Sequence, residues 1–117
     1  MKKSKREYSR VEVCWPVTMQ TGKKLLVGEI KDISVSGALI RCEELPSPEE
    51  TIEISIELGD LFYVSATVET VRFNVDDSHG KGITYELAVR FNFKEMTEDG
   101  RRMLYNAIEQ EVRKKKH

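Results

Sequence analysis

The sequence predicts an all-β fold: six short antiparallel strands in a small barrel or sandwich, followed by one C-terminal helix. Three observations carry this. Apolar residues alternate at period two in successive runs from Val11 to Phe93. Turn-forming residues punctuate those runs. Beyond Phe93 the apolar period lengthens to four, as an amphipathic helix requires. At 117 residues, 39% of them apolar, the chain has the size of one domain.

The elements follow in order. Residues 1–10 are polar and aperiodic and read as a flexible basic arm, and residues 11–117 as the folded body. Val11, Val13, Trp15, Val17 and Met19 share one face of a first strand, with Pro16 on the other face marking an edge or a bulge. Thr21-Gly22-Lys23 is a turn. Leu25 to Ile33 is a second strand, with Gly28 as a bulge or a point of close approach. Ser34-Val35-Ser36-Gly37 breaks it, and Ala38 to Cys42 is a third. Leu45-Pro46-Ser47-Pro48 is a loop. Ile52, Ile54, Ile56 and Leu58 alternate with polar residues in a fourth strand, which Gly59-Asp60 closes. Phe62, Val64, Ala66 and Val68 alternate next, but the parity then shifts to Val71, Phe73 and Val75, the mark of a bulge. Asp76 to Gly82 is a polar loop, and Tyr85, Leu87, Val89, Phe91 and Phe93 alternate in the last strand. In the helix Leu104, Ile108 and Val112 line one face, flanked by Met103 and Ala107, with Thr97 as N-cap. The core expected from these patterns includes Val13, Trp15, Ile52, Ile54, Ile56, Leu87, Val89 and Phe91.

Charge is segregated. The net charge is −1, yet residues 1–10 set five cations against Glu7 for +4, and Arg113 to Lys116 add another +4. The body between them is therefore acidic. Sequence-specific nucleic-acid binding is not expected, because no basic face is available outside the ends. A small or local anion suits the pattern better. No apolar run approaches 18 residues, so no membrane span is expected, and no apolar segment follows the basic start to make a secretory signal. Two cysteines, Cys14 and Cys42, do not form a disulfide framework, which points to a cytoplasmic location.

An enzyme is not expected. His79 and His117 are the two histidines, one in a polar loop and one at the last residue. Neither is placed to serve a nucleophile, and no Cys/His spacing suits a metal. No cofactor motif occurs. Two features remain. Arg6 and Arg10 are spaced i, i+4 in the arm, just behind Lys5. Asp32-Ile33-Ser34-Val35-Ser36-Gly37 leaves one strand and enters the next. Asp32 and Ser34 are two apart, so in extended chain they point the same way. Gly37 permits positive φ or a close backbone approach by a ligand. Arginine offers a planar fork suited to phosphate and to guanine O6 and N7. A carboxylate only accepts, and so suits the N–H donors of a guanine Watson–Crick edge, while a serine hydroxyl does either. Anion and guanine together indicate a guanine nucleotide. Taken alone, each motif also reads as a solvated arm or a plain Asx turn.

These residues resemble the PilZ domain family, bacterial receptors for cyclic di-GMP. The family pattern of R-x-x-x-R before the first strand and [DN]-x-S-x-x-G between the second and third reads here as R-E-Y-S-R and D-I-S-V-S-G. V-E-V-C-W-P-V, A-L-I, A-V-R-F and the final helix also agree, so the resemblance covers essentially the whole chain. Both motifs in this order arise by chance in about one per cent of chains of this length or fewer. The resemblance implies a six-stranded antiparallel barrel and a ligand site of Arg6, Arg10, Asp32, Ser34 and Gly37. It implies cyclic di-GMP as ligand, with no cofactor and no metal. The arm would order on binding and signal to a partner protein. The residue ahead of the first arginine, here Lys5, influences in the family whether one nucleotide or a stacked pair binds. One departure is Ala88, where the family often has glycine. Two alternatives remain: an adaptor of this fold that no longer binds nucleotide, and a small barrel for single-stranded nucleic acid.

Overall fold

The computed structural model describes residues 10–22, 24–47, 51–59, 62–77 and 82–115. Six strands, β1 (Val11–Thr21), β2 (Lys24–Ile33), β3 (Gly37–Cys42), β4 (Ile52–Gly59), β5 (Phe62–Asp76) and β6 (Thr84–Phe91), form a closed antiparallel barrel in the order β1-β2-β3-β6-β5-β4. A single 3-10 turn (Phe93–Glu95) leads to helix α1 (Glu98–Lys115). The fold class read from the alternation is the one observed.

The core is the inward face of every strand. Val17 and Met19 of β1, Ile30 and Ile33 of β2, Ile40 of β3, Ile52, Ile54 and Ile56 of β4, Val64 and Val68 of β5 and Leu87 and Val89 of β6 are all buried. Val13 and Trp15 are partly buried against them. β-branched residues dominate this core, as half-buried pleated surfaces favour. Leu104 and Ile108, four apart on α1, seal the cluster together with Met96. Thr97 caps the helix: its Oγ1 accepts from the Gly100 N–H at 2.9 Å. Glu98 and Asp99 in the first turn and Arg113 to Lys115 in the last complement the helix dipole.

Of the four register shifts in the described ladder, one lies at the β4–β5 end, between Glu57 and Gly59, and the other three shape the outer surface. The first is in β1, between Glu12 and Trp15. The exposed Pro16 lies just beyond it, one residue before the β1–β4 pairing starts at Val17. The second is in β2, between Ile30 and Asp32, with Lys31 as the extra residue. Gly28 is not a bulge; it is the close approach. A Cβ there would stand 2.8 Å from the Arg41 carbonyl oxygen and 3.0 Å from Ile40 Cγ2. The third is in β5, between Thr70 and Arg72, where the parity of the sequence shifts.

The apolar run after that third bulge does not join the core. Val71, Phe73 and Val75 are exposed. The reason is topological. The described β4–β5 pairing ends at Ile52↔Val68, whereas β5 continues along β6 to Asp76↔Thr84. Past Val68 the strand is paired on one edge, so its inward face has no opposite wall. The sequence reading also missed the 3-10 turn. β6 stops at Phe91 because Asn92 caps the turn, its side chain accepting from the Lys94 N–H at 3.2 Å.

Candidate ligand-binding site

The bulges determine which side chains reach the outside. Ile30 faces the core, and in a regular strand Asp32, two residues on, would face it as well. The extra residue Lys31 breaks that parity. Asp32 pairs with Glu12 on one side and Leu39 on the other, residues that face away from the core, and Ile33 takes the inward position. β5 repeats the device. Val64, Ala66 and Val68 point inward, and even parity would carry Arg72 in with them. The bulge at Val71 sends Arg72 outward, paired with Ala88. Asp32, Leu39, Ala88 and Arg72 therefore form one row across β2, β3, β6 and β5.

A depression of about 350 Å³ lies over this row. Arg10, Asp32, Ser36 and Gly37 line one side, and Arg72 and Arg90 the other. Arg10 Nη1 is ion-paired with Asp32 Oδ1, although the two are separated by 22 residues. The Arg10 side chain is 57% exposed and the Asp32 side chain 24%. Such a pair in partial contact with water is worth at most about 1 kcal/mol, so a ligand can displace it readily. Opposite, Arg90 pairs with Gly37 along the ladder and its Nη2 lies 3.4 Å from Glu69 Oε1. Arg72 has no ion-pair partner among the described residues.

β2 ends at Ile33 and Ser34 opens the turn, as expected, but Ser34 does not point the way Asp32 does, as extended chain would have had it. It is buried at 3% exposure, whereas Asp32 is half-exposed. Its N–H donates to the Gly37 carbonyl at 2.9 Å, and its Oγ accepts from the Ser36 N–H at 3.2 Å. The hydroxyls of Ser34 and Ser36 are 3.0 Å apart, and the Phe91 N–H donates to the Ser36 carbonyl at 3.0 Å. In this arrangement Ser34 holds the turn that sets Asp32 and Gly37, and Ser36 is the serine at the rim.

Gly37 lines the depression, but not through a positive φ. A Cβ at Gly37 would stand 2.2 Å from the Val89 carbonyl oxygen, so the first residue of β3 must be glycine for β6 to pair beside it. Arg6 and the rest of residues 1–9 lie outside the described residues. Arg72 and Ser36 were missed by sequence reasoning, and Arg90 was seen only as part of A-V-R-F. The signal for Arg72 was present in the parity shift at Val71.

A neighbouring outer patch carries its own charges. Arg41 Nη2 lies 3.8 Å from Glu86 Oε2 and 4.0 Å from Asp76 Oδ2. Cys14 is exposed and Cys42 buried, both free. Burial pushes the Cys42 thiol up in pKa, partly offset by a backbone hydrogen bond at Glu44. Among the described residues no helix is long and apolar enough to cross a membrane, and no three His, Cys, Asp or Glu side chains converge as metal ligands.

Comparison with known proteins agrees with this fold. The PilZ domain from Escherichia coli YcgR, solved with c-di-GMP, superimposes with a TM-score of 0.69 at 16% identity, covering 96% of this chain and 97% of that one. K. pneumonia MrkH in its apo state gives a TM-score of 0.78 at 15% identity over 99% of this chain and 54% of that one. Bacillus subtilis MotI/DgrA, an inhibitor of motility, gives 0.72 at 14% identity over 97% and 52%. The chain thus spans about half the length of MotI and MrkH. A search of curated proteins found no match. The family profile of the PilZ domain matches residues 4–110, which takes in both motifs, all six strands and most of the helix; the chain belongs to the PilZ domain family.

Proposed function

We propose that this chain is a reversible receptor for cyclic di-GMP and performs no chemistry on its ligand. The observation that carries the reading is the meeting of Arg10 and Asp32 beside Gly37 in an outward depression. That places a donor fork and an acceptor-only carboxylate side by side, which are the two chemistries a guanine nucleotide demands. Structures of two relatives, the YcgR PilZ domain and MrkH, hold c-di-GMP, which supports the same ligand here.

Binding proceeds by exchange of partners. Asp32 turns its carboxylate from Arg10 to the N–H donors of a guanine edge. Arg10 turns to phosphate or to guanine O6 and N7. The ion pair given up is weak and the hydrogen bonds made to the nucleotide are charge-assisted, so the exchange is favourable. Ser34 acts through the turn, and Gly37 keeps the wall low. Arg6 joins from the arm, and the ordering of residues 1–10 offers a new surface to a partner protein in the cytoplasm.

Calorimetry with cyclic di-GMP, GMP and cyclic di-AMP tests the ligand. Saturable binding of cyclic di-GMP in clear preference to the other two is expected, and absence of binding refutes the reading. Amide exchange over residues 1–10 tests the arm. Protection should rise with ligand, and unchanged protection removes the switch.

A further inference from the structure

We infer that Arg72 is a further ligand-binding residue, an anion contact at the end of the site remote from Asp32; this rests on the cyclic di-GMP reading. Asp32 and Arg72 occupy the same outer row, three strand spacings apart. At about 4.8 Å per spacing the path between them along the curved sheet is about 14 Å. A mononucleotide held by its base at Asp32 has one phosphate to share between Arg10 and Arg72, whereas a cyclic dinucleotide has two.

The charges at that end single out Arg72. Of the other described arginines lining the depression, Arg10 is ion-paired with Asp32 and Arg90 with Glu69, pairs that must be exchanged before either binds a ligand. Arg72 lines the same depression, is exposed, and has no ion-pair partner among the described residues. Its five donors are thus available to an oxyanion. Its direction is built into the strand, because the bulge at Val71 turns it out of the barrel at the expense of a regular ladder. Of the two residues between the ends, Leu39 and Ala88, the one beside Arg72 is small, so a ligand can pass over Ala88 to reach Arg72.

The test is Arg72→Ala, with Arg72→Lys and Arg102→Ala beside it. Arg102 is exposed on α1, paired with Asp99, and lines no part of the depression. Affinity for cyclic di-GMP is measured by calorimetry at two salt concentrations. Melting temperature is recorded as a check on folding, which loss of an exposed side chain should leave near the parent's. Arg72→Ala should weaken binding about tenfold and flatten its salt dependence. Arg72→Lys should keep most of the salt dependence, and Arg102→Ala should match the parent. If the parent binds cyclic di-GMP and Arg72→Ala binds within about twofold of it, or loses affinity with the salt dependence unchanged, the role of Arg72 is refuted while the receptor reading stands. If the parent binds none, both readings fall.

Discussion

Replacing Gly37 with alanine should destabilise the barrel in the absence of any ligand. The added Cβ would stand 2.2 Å from the Val89 carbonyl oxygen, 3.3 Å from its carbonyl carbon and 3.4 Å from Arg90 Cα. All three are backbone atoms of β6, so no side chain can swing aside. Relief requires β3 and β6 to separate where Gly37 pairs with Arg90 and Ala38 with Val89. Overpacking of this kind costs about 1–3 kcal/mol, and rigid backbone puts Gly37→Ala at the upper end. Reduced freedom of the unfolded chain returns about 0.4–1 kcal/mol. The net loss is about 2 kcal/mol, or about 10 °C in Tm for a domain of this size. Thermal unfolding followed by circular dichroism, with nucleotide excluded, measures it. Gly28→Ala, whose Cβ meets the Arg41 carbonyl oxygen at 2.8 Å, should show a smaller loss. A Gly37→Ala protein melting within about 2 °C of the parent would refute the argument. The glycine would then serve ligand approach alone, and only affinity would fall.

Further outcomes are expected. Asp32→Ala should lower cyclic di-GMP affinity about tenfold to a hundredfold and erode the preference for guanine over adenine, with little change in salt dependence. Arg10→Ala should lose at least as much and flatten the salt dependence, so titrations at two salt concentrations separate the two roles. Ala88→Gly removes the methyl between Leu39 and Arg72 on the floor of the site. It should tighten binding while costing about 0.5–1 kcal/mol of strand stability, and unchanged affinity would show that the ligand does not lie over it. Cys14 should react with a thiol reagent in the folded protein, and Cys42 only on unfolding. Because burial raises the Cys42 pKa in the folded state, its thiol should add no pH dependence to stability below about 8.5. Stability should fall as pH rises from there through the folded value, since the unfolded state loses the proton first. Urea midpoints compared with Cys42→Ala at pH 7 and above pH 9 report it.

The barrel was legible because its code is simple. Ile52, Ile54 and Ile56 alternate without a break, and the structure buries all three. The site was legible where a short motif fixes a turn, as at Asp32 and Gly37. It was obscure where facing depends on a neighbouring strand. Nothing local in Ser34 tells that its hydroxyl turns back to Ser36 and is buried. The sequence showed a parity break near Val71, but not that pairing with β4 ends at Val68. That second fact leaves Phe73 in water, and it is a property of strand lengths far apart in the chain. Lys31 was missed as a bulge because Gly28 is a more conspicuous irregularity in the same strand.

The bulge at Val71 also bears on how this fold can change length. A codon lost at Val71 would bring Thr70 and Arg72 together as neighbours in plain register with Val89 and Ala88. Arg72 would still face outward and Phe73 would still face the side of Leu87. A codon lost at Ile40 would make Leu39 and Arg41 neighbours and turn one of them, with the strand beyond it, to the opposite face. Insertions and deletions are therefore not equivalent along these strands. One residue can be lost at the bulge while the outward row and the core persist, and related chains can differ there in the spacing between the D-x-S-x-x-G turn and the last strand.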